Sequence, residues 1–257
     1  MHIVMRTPLL AANWKMFKTL AETRAFLRDL GGMAVELGGI DLAVFPPFTA
    51  ISAAVEAAKG TRVAIGAQNL YFEREGAFTG EVSARMITDA GATHVIIGHS
   101  ERRRLFGDTD EWVRRKLRAA LGEGLTPVVC IGETLQEREA GETHAVLDRQ
   151  IQRGLDGTSA DELAAIVIAY EPVWAIGTGK NATPAEAANA HAHIRKRLAS
   201  WFSPTSADRC RILYGGSVKP ENIADLIGLA DVDGALVGGA SLDVRSFTEI
   251  ARRCRPR

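Results

Sequence analysis

Short apolar runs recur along the whole chain, at residues 9–12, 42–45, 63–65, 94–97, 127–131, 165–170, 212–214 and 235–237. They are continuous rather than alternating, the pattern of strands buried on both faces. Between them lie helical patterns with legible ends. Thr19-Leu20-Ala21-Glu22 is a capping box, and Thr183-Pro184-Ala185-Glu186 is a stronger one with proline at the first helical position. Val113, Leu117 and Leu121 repeat every four residues, one apolar helix face. Gly60 reads as a helix stop, and Pro220 opens a segment carrying Ile223, Leu226 and Ile227.

Eight such units in 257 residues predict an α/β fold, a closed (β/α)8 barrel of eight parallel strands. A doubly wound open sheet is the competing architecture. No linker or break in composition divides the chain, so residues 1–257 read as a single domain, with residues 1–5 an N-terminal extension and Met5 a second candidate start.

Composition excludes several classes. Apolar residues make up 46% and charged ones 24%, ordinary for a globule with a full core. Formal net charge is zero, which offers no field for nucleic acid. The basic runs Arg102-Arg103-Arg104 and Arg114-Arg115-Lys116 read as solvated or salt-bridged helix faces. Cys130, Cys210 and Cys254 are few and odd in number, which suits a reducing compartment and not a disulfide scaffold. No signal core and no stretch near the ~20 apolar residues of a membrane span is visible, so the expected location is the cytoplasm.

Active sites of such barrels collect at the strand C-terminal ends. The residues just after the runs should therefore converge: Asn13 and Lys15, Gln68 and Asn69, His99 and Glu101, Glu133, Glu171, Gly215-Gly216-Ser217 and Gly238-Gly239. Glycine turns after the last two strands suit phosphate held by backbone N–H groups. Glu171, where the sixth run surfaces, is placed for general-base work, with burial under a lid expected to raise its pKa toward neutrality. Pro172 at one end and glycines at the other make the following segment a loop built to close as a unit.

The blocks Asn13-Trp14-Lys15-Met16, His99-Ser100-Glu101-Arg102-Arg103, Cys130-Ile131-Gly132-Glu133, residues 170–180, Tyr214-Gly215-Gly216-Ser217 and Val237-Gly238-Gly239 closely resemble the triosephosphate isomerase family over nearly the full length. The resemblance implies a TIM barrel that interconverts dihydroxyacetone phosphate and D-glyceraldehyde 3-phosphate through an enediolate, in glycolysis and gluconeogenesis. It implies Glu171 as base, His99 as a neutral electrophile, Lys15 as fixed charge, Asn13 as donor to the substrate oxygen and Glu101 as a residue orienting Lys15 and His99. Asn13, Lys15, Gly177, Ser217, Gly238 and Gly239 would bind substrate. Val173, Trp174, Ala175, Ile176, Gly177, Thr178, Gly179 and Lys180 would form the lid. Phe78 and Thr79, in a loop with aromatics at its tip, would contact the neighbour in a homodimer. No metal or cofactor is expected.

Two positions depart from the family pattern, Ala12 where glycine is expected and Phe17 where a polar residue is common. Ala12 is expected to crowd the turn that places Asn13 and Lys15. Cys130 reads as inert core, and His94, His144, His191 and His193 as scaffold or surface. A different phosphate-binding barrel enzyme would keep the glycine turns without His99 and Glu171 in these blocks. An aldolase would need a lysine inside a barrel strand, and the runs carry none.

Overall fold

A computed structural model describes residues 6–176 and 182–254. Eight strands form a closed barrel in chain order, β1 (Leu9–Asn13), β2 (Asp41–Phe45), β3 (Val63–Ala67), β4 (His94–Ile97), β5 (Thr126–Ile131), β6 (Val167–Tyr170), β7 (Arg211–Tyr214) and β8 (Gly234–Val237), with β8 pairing back onto β1. Every pairing is parallel. The open-sheet alternative is thereby excluded.

Around the barrel run α1 (Leu20–Ala34), α2 (Ile51–Ala57), α3 (Ala84–Asp89), α4 (Ser100–Phe106), α5 (Asp110–Gly122), α6 (Leu135–Glu139), α7 (Thr143–Gly154), α8 (Ala160–Leu163), α9 (Pro184–Trp201), α10 (Pro204–Arg209), α11 (Ile223–Ile227) and α12 (Val244–Arg253). The two anticipated capping boxes are formed: the Thr19 side chain accepts from Glu22 N while Glu22 accepts from Thr19 N, and Thr183 and Glu186 repeat the exchange.

Strand alternation sorts the core into two. Leu9, Ala11, Phe45, Val128, Cys130, Ala169 and Leu213 fill the barrel interior. Leu10, Ala12, Val44, Val129, Ile168 and Ile212 face outward into the larger layer shared with the helices. Ala12 therefore faces the helix-side layer, in the same cluster as Trp14 of the loop that follows β1. Phe17 is over half exposed.

The sixth strand begins two residues later than its apolar run. Ala165 and Ile166 donate to the carbonyls of Glu162 and Leu163 and so close the end of α8 instead of joining the ladder. Pro127 lies inside β5 at no cost. Thr126 N donates to Thr93 O on the β4 side, so the donor that proline lacks would face β6, whose pairing starts only at Val128.

Candidate active site

Asn13, Lys15, His99, Glu171, Gly215, Gly216, Ser217, Gly238 and Gly239 line one cavity of about 280 Å³ at the strand C-terminal ends. The cavity draws them from the ends of β1, β4, β6, β7 and β8.

Lys15 leaves β1 through a left-handed backbone, φ +52°, a conformation that costs free energy for a side-chain-bearing residue. Two hydrogen bonds hold it there. Lys15 N donates to Asn13 Oδ1 at 3.1 Å, and Gln68 Nε2 donates to Lys15 O at 2.8 Å while also reaching Phe45 O. Because Asn13 Oδ1 is the acceptor in that turn, its amide nitrogen is left to donate elsewhere. Lys15 Nζ lies 2.7 Å from Glu101 Oε1, which fixes the ammonium over the cavity.

His99 caps the N-terminus of α4. Glu101 N donates to its Nδ1 at 3.2 Å, so that nitrogen carries a lone pair and the ring proton belongs on Nε2. Nε2 in turn lies 3.0 Å from Glu171 Oε1. Burial works against the imidazolium, but the Glu171 carboxylate outweighs it and raises the ring's pKa above the ordinary value.

Glu171 is almost fully buried. Ser100 N donates to its Oε2 at 2.9 Å and Ser100 Oγ to Oε1 at 3.3 Å. Burial pushes its pKa up, yet His99 and Ser100 N–H together hold it below the usual carboxylate range. The rise expected from burial alone is thus reversed in this arrangement. Glycines let the main chain close around it: a Cβ on Gly132 would stand 1.7 Å from Glu171 O, and one on Gly215 2.9 Å from Glu171 Cγ.

Two rim residues are turned to other work. Asn69 accepts from the buried Lys116 Nζ at 2.8 Å, and Asp108 accepts from the same ammonium at 2.6 Å. Lys116 is therefore no solvated face residue, and burial lowers its pKa. Glu133, fully buried, accepts from Tyr170 OH and from Trp174 Nε1, the latter at 2.9 Å. It anchors the start of the anticipated lid, where Val173–Ala175 forms a 3-10 turn and Arg138 stacks on Trp174. Ala175 is buried and Ile176 lines the cavity. Gly177, Thr178, Gly179 and Lys180 lie outside the described residues.

Ser100 and Lys219 were not singled out by the sequence pattern as site residues. Lys219 is a second cation lining the cavity, exposed at its mouth. Its position in the run after Gly215-Gly216-Ser217 was the available signal. Cys130 is buried inside the barrel, and burial, with Glu171 nearby, raises its thiol pKa well above the ordinary value, as expected of an inert thiol. Among the described residues no cluster could hold a metal ion.

A closed (β/α)8 barrel with a carboxylate, an imidazole and an ammonium over glycine turns defines an enzyme of the phosphate-binding barrel class. Residues 8–254 match the triosephosphate isomerase family. Triosephosphate isomerase of Carboxydothermus hydrogenoformans is 54% identical over 248 residues, covering 96% of this chain and 99% of that one. The Symbiobacterium thermophilum protein of the same name is 55% identical over 246 residues, covering 96% of each chain. The crystal structure of triosephosphate isomerase from Bartonella henselae superposes with a TM-score of 0.87 at 40% identity, covering 96% of this chain and 98% of that one. The chain belongs to the triosephosphate isomerase family.

Proposed function

We propose that Glu171 and His99 carry out, on this chain, the reaction its family implies: interconversion of dihydroxyacetone phosphate and D-glyceraldehyde 3-phosphate, a step of glycolysis and gluconeogenesis. The observation that carries the assignment of roles is the pairing of a buried carboxylate with an imidazole whose tautomer the backbone has fixed.

The reaction removes a proton from carbon beside a carbonyl. Glu171, ionised by its contacts with His99 and Ser100, is the base that accepts it. Substrate entering the cavity takes over its place on His99. Losing the His99 contact removes one of the interactions that lower the carboxylate's pKa, so burial weighs more heavily and the base strengthens where it is used. His99 donates Nε2–H to the carbonyl oxygen as the enediolate forms, and moves the proton between the two oxygens. Proton return to the neighbouring carbon from Glu171 completes the isomerisation with no change in overall composition. Lys15 opposes the developing oxyanion, Asn13 donates to a substrate oxygen, and Glu101 positions both Lys15 and His99.

The phosphate is held by backbone N–H groups of Ser217, Gly238 and Gly239, joined by Gly177 when the lid closes. Closure of residues 173–180 excludes water and protects an enediolate that would otherwise lose phosphate. No cofactor enters the chemistry, which proton transfer alone completes.

The active species is a homodimer. Phe78 is 40% exposed at a loop tip and leans on Tyr71, ring centroids 4.7 Å apart, and Thr79 beside it is exposed. Met16 and Phe17 add exposed apolar surface near Lys15, as an interface requires. The chain acts as one domain in the cytoplasm. Among the described residues no helix is long and apolar enough to cross a membrane.

A coupled assay tests the activity. The purified protein should convert D-glyceraldehyde 3-phosphate to dihydroxyacetone phosphate without added metal, and to the same extent after exhaustive chelation. No conversion would reject the function; loss restored by one divalent ion would reject the cofactor-free chemistry.

A further inference from the structure

The catalytic cavity is not the largest one described. A cavity of about 1050 Å³ lies behind Glu171, walled by α4, α5 and α7 and floored by Cys130, Ile131 and Gly132 at the end of β5. Glu171 lines both cavities, so the two adjoin at this residue.

Formal charge around this second cavity balances, but its arginines are not all paired. Arg103, Arg104, Arg114, Arg149 and Arg153 face it, as do Asp110, Glu111, Glu137, Asp156 and Glu171. Arg103 pairs with Asp110 at 2.7 Å, Arg114 with Glu111 at 2.8 Å, and Arg149 with Glu137 at 3.4 Å. Asp156 lies 3.9 Å from Arg114. Glu171 is held by His99 and Ser100, so all five carboxylates are occupied. Among the described residues, Arg104 on α4 and Arg153 on α7 have no ion pair, and they stand on different walls with their side chains open to solvent.

Chemistry narrows the occupant. Two uncommitted guanidiniums on separate walls favour a ligand with two or three anionic groups, since each can take a carboxylate or phosphate in a bidentate fork. Thr109, Thr134 and Gln152 add neutral polar groups. Among the described residues no aromatic side chain lines the cavity, so a nucleobase would find nothing there to stack on. The floor is rigid: Gln150 Oε1 accepts from Gly132 N at 2.7 Å, and Gln150 Nε2 donates to Gly132 O at 3.2 Å.

We infer that this cavity is a second binding site, distinct from the catalytic one, for a small aliphatic anion bearing two or three carboxylate or phosphate groups. It is a ligand site and adds no catalytic group, and it stands independently of the roles given to Glu171 and His99.

Calorimetric titration of the full chain tests it, with citrate and inorganic pyrophosphate as probes. Glycerol 3-phosphate, a three-carbon phosphate with no carbonyl to react, is kept saturating so that the catalytic cavity is filled. At least one probe should still bind with a stoichiometry of one per chain. The double variant Arg104→Gln/Arg153→Gln should weaken that binding at least roughly tenfold, the least expected from two lost charged hydrogen bonds, with kcat and KM unchanged. Both side chains are exposed, so the variant should fold. No binding by either probe in the presence of glycerol 3-phosphate would overturn the inference, as would equal affinity in the double variant.

Discussion

Gly238 is the neighbour of the Lys15 side chain: a Cβ at position 238 would stand 3.4 Å from Lys15 Cε and 3.8 Å from Nζ. A bare Cβ there would meet the Lys15 side chain at ordinary van der Waals distance, but a branched side chain would reach further into it. Lys15 is already held by Glu101 at 2.7 Å and by a left-handed backbone, so it has little freedom to move aside.

Gly238→Val should therefore act twice, crowding Lys15 and covering the N–H groups proposed for phosphate. KM should rise and inhibition by inorganic phosphate should weaken, while the circular dichroism spectrum of the barrel is retained. Steady-state kinetics with phosphate as inhibitor gives the answer, and unchanged phosphate affinity would move the phosphate site away from β8.

The loop carrying Phe78 should join two chains. Replacing Phe78-Thr79-Gly80 with a charged linker should give monomers by light scattering, with much lower turnover and an intact barrel. The family resemblance also implies that the partner's Thr79 lies beside Asn13 and Lys15, and those side chains would lose that support. Full activity in a species shown to be monomeric would remove the dimer from the explanation.

Stability should fall on the acid side through His191. This ring is fully buried on α9, its Nδ1 bonded to Asp231 O, and its Nε2 has no hydrogen-bond partner. Burial lowers its pKa from 6.5 to about 4. The unfolded chain thus binds a proton between pH 6.5 and 4 that the folded chain does not. By linkage the ring's penalty is absent above pH 6.5 and grows as pH falls toward 4, to roughly 3 kcal/mol. His94 is lowered to about 4 in the same way and adds to the slope. Urea midpoints measured across this window should fall less steeply in His191→Gln than in the unaltered protein. Identical slopes would mean that His191 is hydrated or charged in the folded state.

The barrel was legible because its strands are continuous apolar runs and its helices carry capping boxes, both local signals. Partners were less legible. Asn69 and Glu133 follow strands just as His99 and Glu171 do, yet one binds Lys116 and the other Trp174 and Tyr170. Which way a side chain leaves a strand end depends on packing that no local pattern records. The start of β6 was misplaced because Ala165 and Ile166 are as apolar as the strand but donate to α8. The lowered pKa of Glu171 in this arrangement is not legible in the sequence: burial can be read from an apolar run, whereas the N–H of Ser100 and the ring of His99 come from another part of the chain.

The most direct measurement is turnover of Glu171→Gln in the coupled isomerase assay, beside the unaltered protein. The amide keeps the shape of the side chain and removes its basicity. Turnover should drop by at least ~10²–10⁴, the usual worth of a positioned general base, with substrate affinity retained. A variant that turns over at nearly the original rate would contradict the assignment of Glu171 as the group that takes the proton from carbon.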